Sequence, residues 1–251
     1  MAYEVGIKFA KTNEDLDDHD LKVPYRELIG SLGYLTVATR PDIAFSVSCL
    51  SQFNSCFREQ HWNAAKRVLR YLKFTQNFGI SYLLENSWDL RGYVDADWAS
   101  CVIDRRSYTG HCFLLYNGCV TWESKKQRTP VLSSLECEYM GLTEGAKEAA
   151  YLKQFLNEIQ IRICTAVKLG NDNQGAKSLA TNPASGSKTK HIDLRYHFIR
   201  TSVTNGIIDI EYVPSDKMPA DILTKGLTKE KHYRCLNLLK LEDTLLHSSN
   251  T

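Results

Sequence analysis

The chain has 251 residues, 43% of them hydrophobic and 24% charged, with a net charge of +2. That length can bury a sizeable core, as one large domain or two ordinary ones, and the composition is that of a soluble globular protein. No run approaches the ~18 apolar residues of a membrane span, and MAYEVGIKFAKTNEDLDDHD lacks a signal-peptide core, so a cytoplasmic or nuclear, non-membrane setting is expected. The near-neutral charge names no anionic partner, so local basic clusters matter more. Eight scattered cysteines with no C-x-x-C pair argue against a zinc site or a disulfide framework and are expected to be mostly buried small apolar residues.

Residues 1 to 22 read as a polar lead-in. From about Tyr25 to Phe74 the apolar residues recur at helical spacing: Leu28, Leu32 and Leu35, then Ala64, Val68, Leu69 and Leu72. Pro41 breaks the first run and can open the next helix. Lys66, Arg67, Arg70 and Lys73 in the last helix either touch a nucleic-acid backbone or form a solvated face. The helical pattern stops around Gln76 to Asp89, which places a boundary near residue 85.

Strand-like segments follow at Leu90–Asp95, His111–Tyr116 and Val120–Trp122, with the hairpin dipeptide Asn117-Gly118 between the last two. A long helix is expected from about Ser134 to Ile159. After it come a strand (Ala166–Leu169), a helix from about Asn173, and another from about Ile192 to Thr204. A strand (Ile207–Val213) and a short helix near Pro219 complete the series. Three antiparallel strands followed by alternating helices and strands imply a mixed α/β sheet. The expected divisions are a helical segment at 1–85, an α/β unit at 86–228, and a C-terminal helix and tail at 229–251.

Chemistry concentrates in GYVDADWAS, where Asp95 and Asp97 share one strand face. Adjacent carboxylates repel and are relieved by a shared cation. The long helix offers two further acids. Ser133 and Glu136 form a capping-box pattern, which gives Glu136 a structural task. Leu135, Tyr139, Leu142, Ala146 and Ala149 make the sheet-facing stripe. Glu138 lies about 60° from the centre of that stripe and Glu136 about 100°. Glu138 is therefore the acid set at the sheet edge. Asp172 follows a strand, at the end where open α/β sheets bind ligands, or else caps a helix. Asp221 sits in the first turn after Pro219, where an acid also suits the helix N-terminus.

From about Leu90 to Leu227 the blocks GYVDADWAS, RRSYTG, WESKKQ, SSLECEYMGL, NDNQGA, KTKHIDLRYHFIR and ADILTKGL resemble the ribonuclease H domain of copia-type retrotransposon Pol polyproteins, in the family's order and rough spacing. Upstream, YRELIGSLGYLTVATRPDIAFSVSCLSQF and HWNAAKRVLRYLK resemble the region joining the reverse transcriptase to that domain. The resemblance implies a ribonuclease H-like mixed five-stranded sheet flanked by helices, preceded by a small helical, connection-like unit. It implies a metal-dependent endonuclease that cuts the RNA strand of RNA–DNA hybrids. Carried over residue by residue, Asp95, Glu138, Asp172 and Asp221 are the four acids, holding two Mg²⁺ roughly 4 Å apart, with Mn²⁺ as a substitute. Asp97 is expected nearer the strand's exit, in a turn or supporting role.

Lys125, Lys126 and Arg128, expected between the third strand and the long helix, and Lys188, Lys190, His191, Arg195, His197 and Arg200 either grip the hybrid's phosphates or form a solvated face. His191 and His197 are six apart and do not share a helix face, which argues against a metal there. Trp98 and Trp122 are expected in the core. The chain departs from the family at Glu123, usually basic, and at Gly175, usually larger; neither removes a ligand. The polymerase aspartate pair, integrase and protease are absent, so the chain is expected to be a C-terminal piece of a polyprotein and the remainder of a reverse transcriptase is an expected partner. A rival reading from another class is a catalytically silent or co-opted remnant that binds nucleic acid or protein.

Overall fold

The run with helical spacing forms three helices, α1 (Tyr25–Ala38), α2 (Ala44–Ser51) and α3 (Glu59–Phe74). A computed structural model describes residues 22–82, 89–101, 103–131, 133–175 and 190–245, and their side chains except at 190–193. Pro41 ends the first run as its spacing predicts: a single 3₁₀ turn, Pro41–Ile43, intervenes before α2. Tyr25, Ile29, Leu32, Ile43, Val47, Leu50, Phe53, Ala65 and Val68 close this unit's own core.

Strands β2 (Arg91–Asp97), β3 (Tyr108–Leu115), β4 (Gly118–Lys126), β5 (Val167–Asn171) and β6 (Ile208–Tyr212) form a sheet in the order β4-β3-β2-β5-β6. β2, β3 and β4 pair antiparallel, while β5 runs parallel to both β2 and β6. This is the ribonuclease H-like mixed sheet that the resemblance implied. Helices α4 (Ser134–Glu158) and α5 (Lys190–Thr204) follow the third and fourth of these sheet steps. The α4 stripe behaves as its periodicity predicts: Tyr139, Leu142, Ala146 and Ala149 are buried in one cluster with Val94, Phe113 and Leu169. Tyr196 of α5 stacks on Tyr139 at 3.9 Å, joining α5 to the same layer.

The opposite face is covered by a 3₁₀ turn, Pro219–Leu223, and by helix α6 (Lys229–Leu239). Met218, Ile222, Leu223, Leu236 and Leu239 pack there with Ala44 of α2 and Cys112 and Cys119 of the sheet. The helical unit is thus bound to the sheet through buried contacts. A two-stranded sheet of β1 (Phe78–Ile80) and β7 (Leu241–Asp243) ties the end of the helical unit to the C-terminal segment. Strands of three residues leave no usable alternation in sequence, and neither was expected.

Two expectations are corrected. β4 runs six residues beyond Val120, so Lys125 and Lys126 lie within the strand, paired with Thr109 and Tyr108, rather than between strand and helix. Trp98 is 48% exposed, its indole N–H donating to the Val131 carbonyl at 3.2 Å, and is no core residue. Six cysteines are buried and unpaired, whereas Cys56 and Cys164 are exposed. The helix expected from Asn173 is described only at residues 174–175, and the rest of that expectation lies outside the described residues.

Candidate metal centre

β2 and β5 pair only from Arg91 to Tyr93, so the ladder stops two residues before Asp95. Parallel strands whose ladder ends this way open a crevice at their carboxyl ends, beside the point where the strand order reverses. The Asn171 side chain bridges the opening, donating to the Val94 carbonyl at 3.2 Å and to Glu138 Oε2 at 3.0 Å.

Two glycines bring the surrounding elements close. A Cβ on Gly145 would lie 2.4 Å from Val94 Cγ2, so glycine lets α4 settle onto β2 and carries Glu138 to the crevice. Gly110, directly across the ladder from Asp95, has the same role on the other face. A Cβ there would lie 2.5 Å from that of Leu223, so its absence admits the turn that carries Asp221 and Thr224.

Carboxylate oxygens of Asp95, Glu138 and Asp172 all lie within 4.8 Å of one another. Asp95 is 2% exposed and Glu138 8%, while Asp172 sits at the rim and accepts a hydrogen bond from Ser215 Oγ at 2.8 Å. Burial first, and then the charges of Asp95 and Asp172, raise the Glu138 pKa to about 8 against the opposing Asn171 hydrogen bond. Burial is also the largest cause at Asp95, whose pKa settles at about 6 once Lys225 and the donating Thr224 hydroxyl have opposed the rise. Three mutually repelling carboxylates, two of them starved of water, are a set of hard oxygen donors that suits a divalent cation.

Asp221 is not part of that group of three. It is fully buried, with Lys225 Nζ 2.6 Å from its Oδ1 and Lys231 Nζ against its Oδ2. Lys225 also reaches Asp95 Oδ2 at 3.2 Å, so one ammonium links the first acid to the fourth. Burial lowers the Lys225 pKa, but Asp95 and Asp221 raise it more, and the net shift is upward. Asp97 ends β2 and is outside the three-acid group, as its position near the strand's exit predicts. Glu136 offers its backbone N–H to the Ser133 hydroxyl at 3.2 Å, the cap expected of that pair.

The supporting residues Asn171, Thr224, Lys225 and Lys231 were not anticipated. Asn171 adjoins Asp172 and carried a signal only as a polar residue ending an apolar strand. Lys225 stands four after Asp221, a spacing at which helical side chains meet. Lys231 gave no sequence signal, because a fold contact brings it in.

The basic candidates are scattered in their roles. Lys126 is held by Asp104 at 2.9 Å and Gln52 Oε1 at 2.7 Å, and Lys125 by Glu123 at 3.3 Å. Arg128 is exposed, Arg195 is half-buried on α5, and Arg200 lies over the Tyr196 ring at 5.9 Å. The side chains of Lys188, Lys190 and His191 lie outside those described.

No family model matches the chain. It is 38% identical over 240 residues to the retrovirus-related Pol polyprotein from transposon TNT 1-94 of Nicotiana tabacum, covering 94% of this chain and 18% of that protein. It is 40% identical over 205 residues to the corresponding polyprotein from transposon RE2 of Arabidopsis thaliana, covering 82% of this chain and 14% of that protein. A protein of Plasmopara viticola named secreted RxLR effector protein 161 is 52% identical over 130 residues, covering 52% of this chain and 92% of that protein. Among solved structures, a ribonuclease H1 (LC11) in complex with RNA/DNA hybrid is 13% identical with a TM-score of 0.42, covering 54% of this chain and 94% of that one. A foamy viral protease–reverse transcriptase in complex with RNA/DNA hybrid is 13% identical with a TM-score of 0.44, covering 77% and 26%. The chain spans less than a fifth of the length of the transposon polyproteins it matches. Identity sustained at this level along nearly the whole chain matches it to a segment of the retrovirus-related Pol polyproteins of transposons.

Proposed function

We propose that this chain is a metal-dependent endonuclease of the ribonuclease H type, cutting the RNA strand of RNA–DNA hybrids within a retrotransposon polyprotein. The observation that carries the reading is the convergence of Asp95, Glu138 and Asp172, from a strand, a helix and a strand end, within 4.8 Å. Asp95, Glu138 and Asp172 would hold the ions, with Asp221 as the fourth acid. Mg²⁺ is the cation that suits this carboxylate set, with two ions in the full site and Mn²⁺ as a substitute. Ions bound there would supply Lewis-acid activation of a water and stabilisation of the leaving 3′ oxygen.

The chain's own groups prepare the site. The Asn171 amide fixes Glu138 Oε2, so that the carboxylate faces the crevice in one orientation. Thr224 and Lys225 hold Asp95, and Ser215 holds Asp172. Lys125, Lys126, Arg128, Lys190 and Arg195 are the proposed contacts to the hybrid's phosphates, which would give salt-sensitive binding without sequence preference. The RNA 2′-hydroxyl would mark the strand to be cut. The remainder of a reverse transcriptase is the proposed protein partner, through the helical unit.

The test is cleavage of an end-labelled RNA–DNA hybrid with Mg²⁺, comparing the unaltered chain with Asp95→Asn and with chelator present. Cutting that needs both the ion and Asp95 supports the reading. Equal products from the two proteins would overturn it.

A further inference from the structure

One carboxylate of the proposed four is held unlike the rest. Asp221 is fully buried, yet two ammonium groups meet it, Lys225 from its own turn and Lys231 from α6. Lys225 already balances a buried acid there, being shared with Asp95. Lys231 is a second cation brought from another helix. Among the described residues, neither Asp221 oxygen accepts a hydrogen bond of good geometry. Two ammonium contacts hold the carboxylate, and an ion pair of that kind can be exchanged for a divalent cation.

Local charge adds to the point. Asp95 and Asp221 are matched, charge for charge, by Lys225 and Lys231. Removing Lys231 would return one negative charge to the crevice. The Cys235 thiol of α6 also lies near Asp221, and burial before that acid's charge raises its pKa to about 12, so it stays neutral and does not alter the count.

The backbone behind Lys231 is anchored on both sides. Its N–H donates to the capping Thr228 hydroxyl at 3.4 Å, and its neighbour His232 is buried against the Tyr71 hydroxyl at 3.0 Å. The Lys231 side chain itself is 31% exposed, on a flexible four-carbon stem. It can leave Asp221 for solvent without moving α6.

We propose that Lys231 is a positioning residue that governs the fourth acid: paired with Asp221, it withholds that carboxylate from the divalent-cation site until a bound ion displaces it. The proposal rests on the reading of the Asp95 group as a cation site. It makes the number of acids available to the ions a property set by α6, a helix outside the five-stranded sheet.

The experiment is calorimetric titration of the full chain with Mn²⁺ and Mg²⁺ at fixed pH, in the unaltered protein, Lys231→Met, Lys231→Gln, Lys231→Arg and Asp95→Asn. Circular dichroism selects the variants that keep the fold. Lys231→Met and Lys231→Gln are expected to bind the ion on the order of tenfold tighter. Lys231→Arg should return to the unaltered affinity, which a loss of packing alone would not produce. Affinity unchanged or weakened in both neutral variants, with the unaltered chain binding through Asp95, overturns the role of Lys231 and leaves the cation site standing. No ion binding by any folded form overturns the cation site itself, and the role of Lys231 with it.

Discussion

Asn171 stands between Glu138 and the end of the β2–β5 ladder, its amide shared by the Glu138 carboxylate at 3.0 Å and the Val94 carbonyl at 3.2 Å. One side chain thus satisfies a buried strand end and orients a candidate ligand. Its own Oδ1 accepts from the Asn173 N–H at 2.9 Å, shaping the turn that carries Asp172. Asn171→Leu should weaken divalent-ion affinity by roughly tenfold or more, since removal of such an outer contact typically costs that much. It should also cost about 1–3 kcal/mol of stability by stranding the Val94 carbonyl. Calorimetry and denaturant unfolding measure the two effects separately.

Glu138 sets a pH dependence. Its ordinary value of 4.5 is raised to about 8 by burial and by its acidic neighbours, so the folded chain holds this proton more tightly than the unfolded one. The corresponding stability is fully present below about pH 4.5 and is lost as pH rises through about 8. In chelator, the contribution from this group should fall by on the order of 1 kcal/mol per pH unit across that window. Glu138→Gln should remove the decline, being more stable than the unaltered chain at pH 8.5 and little different at pH 5. Thermal unfolding against pH gives the comparison, and equal slopes for the two proteins would contradict it.

His232 acts in the opposite direction. Tyr71 donates its single hydroxyl proton to Asp42 Oδ2 at 2.6 Å, so the 3.0 Å contact with His232 Nε2 requires the imidazole to donate. Burial lowers the His232 pKa to about 4, with Asp42 opposing. A histidine lowered in this way contributes stability that is present above about pH 6.5 and lost as pH falls through about 4. Acidification should therefore loosen α6 from α3, seen as increased amide exchange in α6 between those values. Tyr71→Phe, which strips a hydrogen bond from a buried acid, should cost about 1–3 kcal/mol at neutral pH.

Gly145 tests the seating of α4. The Cβ of Gly145→Ala would lie 2.4 Å from Val94 Cγ2, which forces helix and strand apart. The expected cost is about 1–3 kcal/mol, set by overpacking against the gain in helix propensity. Moving α4 should also withdraw Glu138, so ion affinity should fall together with stability. Gly30, with nothing near its would-be Cβ, is the control: Gly30→Ala should be neutral or stabilising.

The sheet was legible because its signals are local. The α4 stripe and the Ser133 cap each depend on residues a few positions apart, and each is found where its pattern predicts. The hairpin expected at Asn117-Gly118 instead turns one residue earlier, at Tyr116-Asn117, with Gly118 opening β4 opposite Leu115. Choosing Glu138 over Glu136 by angle alone matched the burial of Glu138, which the helix phase dictates. Strand ends were less readable. Ser124–Lys126 continue β4 without apolar alternation, because this end of the strand is only partly covered. The state of Asp221 was legible only in the i,i+4 spacing of Lys225. The Lys231 contact and the burial of Asp221 depend on the approach of the turn through Gly110 and on the docking of α6, which no short-range pattern encodes.

The pairing of β1 with β7 bears on how the chain reaches this structure. Thr244 Oγ1 bonds to the Asn77 carbonyl across 167 residues, and Tyr71 meets His232 across 161. Closing loops of that size has to precede any reward from the contacts they bring, so such topologies fold slowly. During synthesis, the helical unit emerges long before α6 and β7 can reach it. The fourth acid and its two lysines are therefore completed last, by the final stretch of described chain.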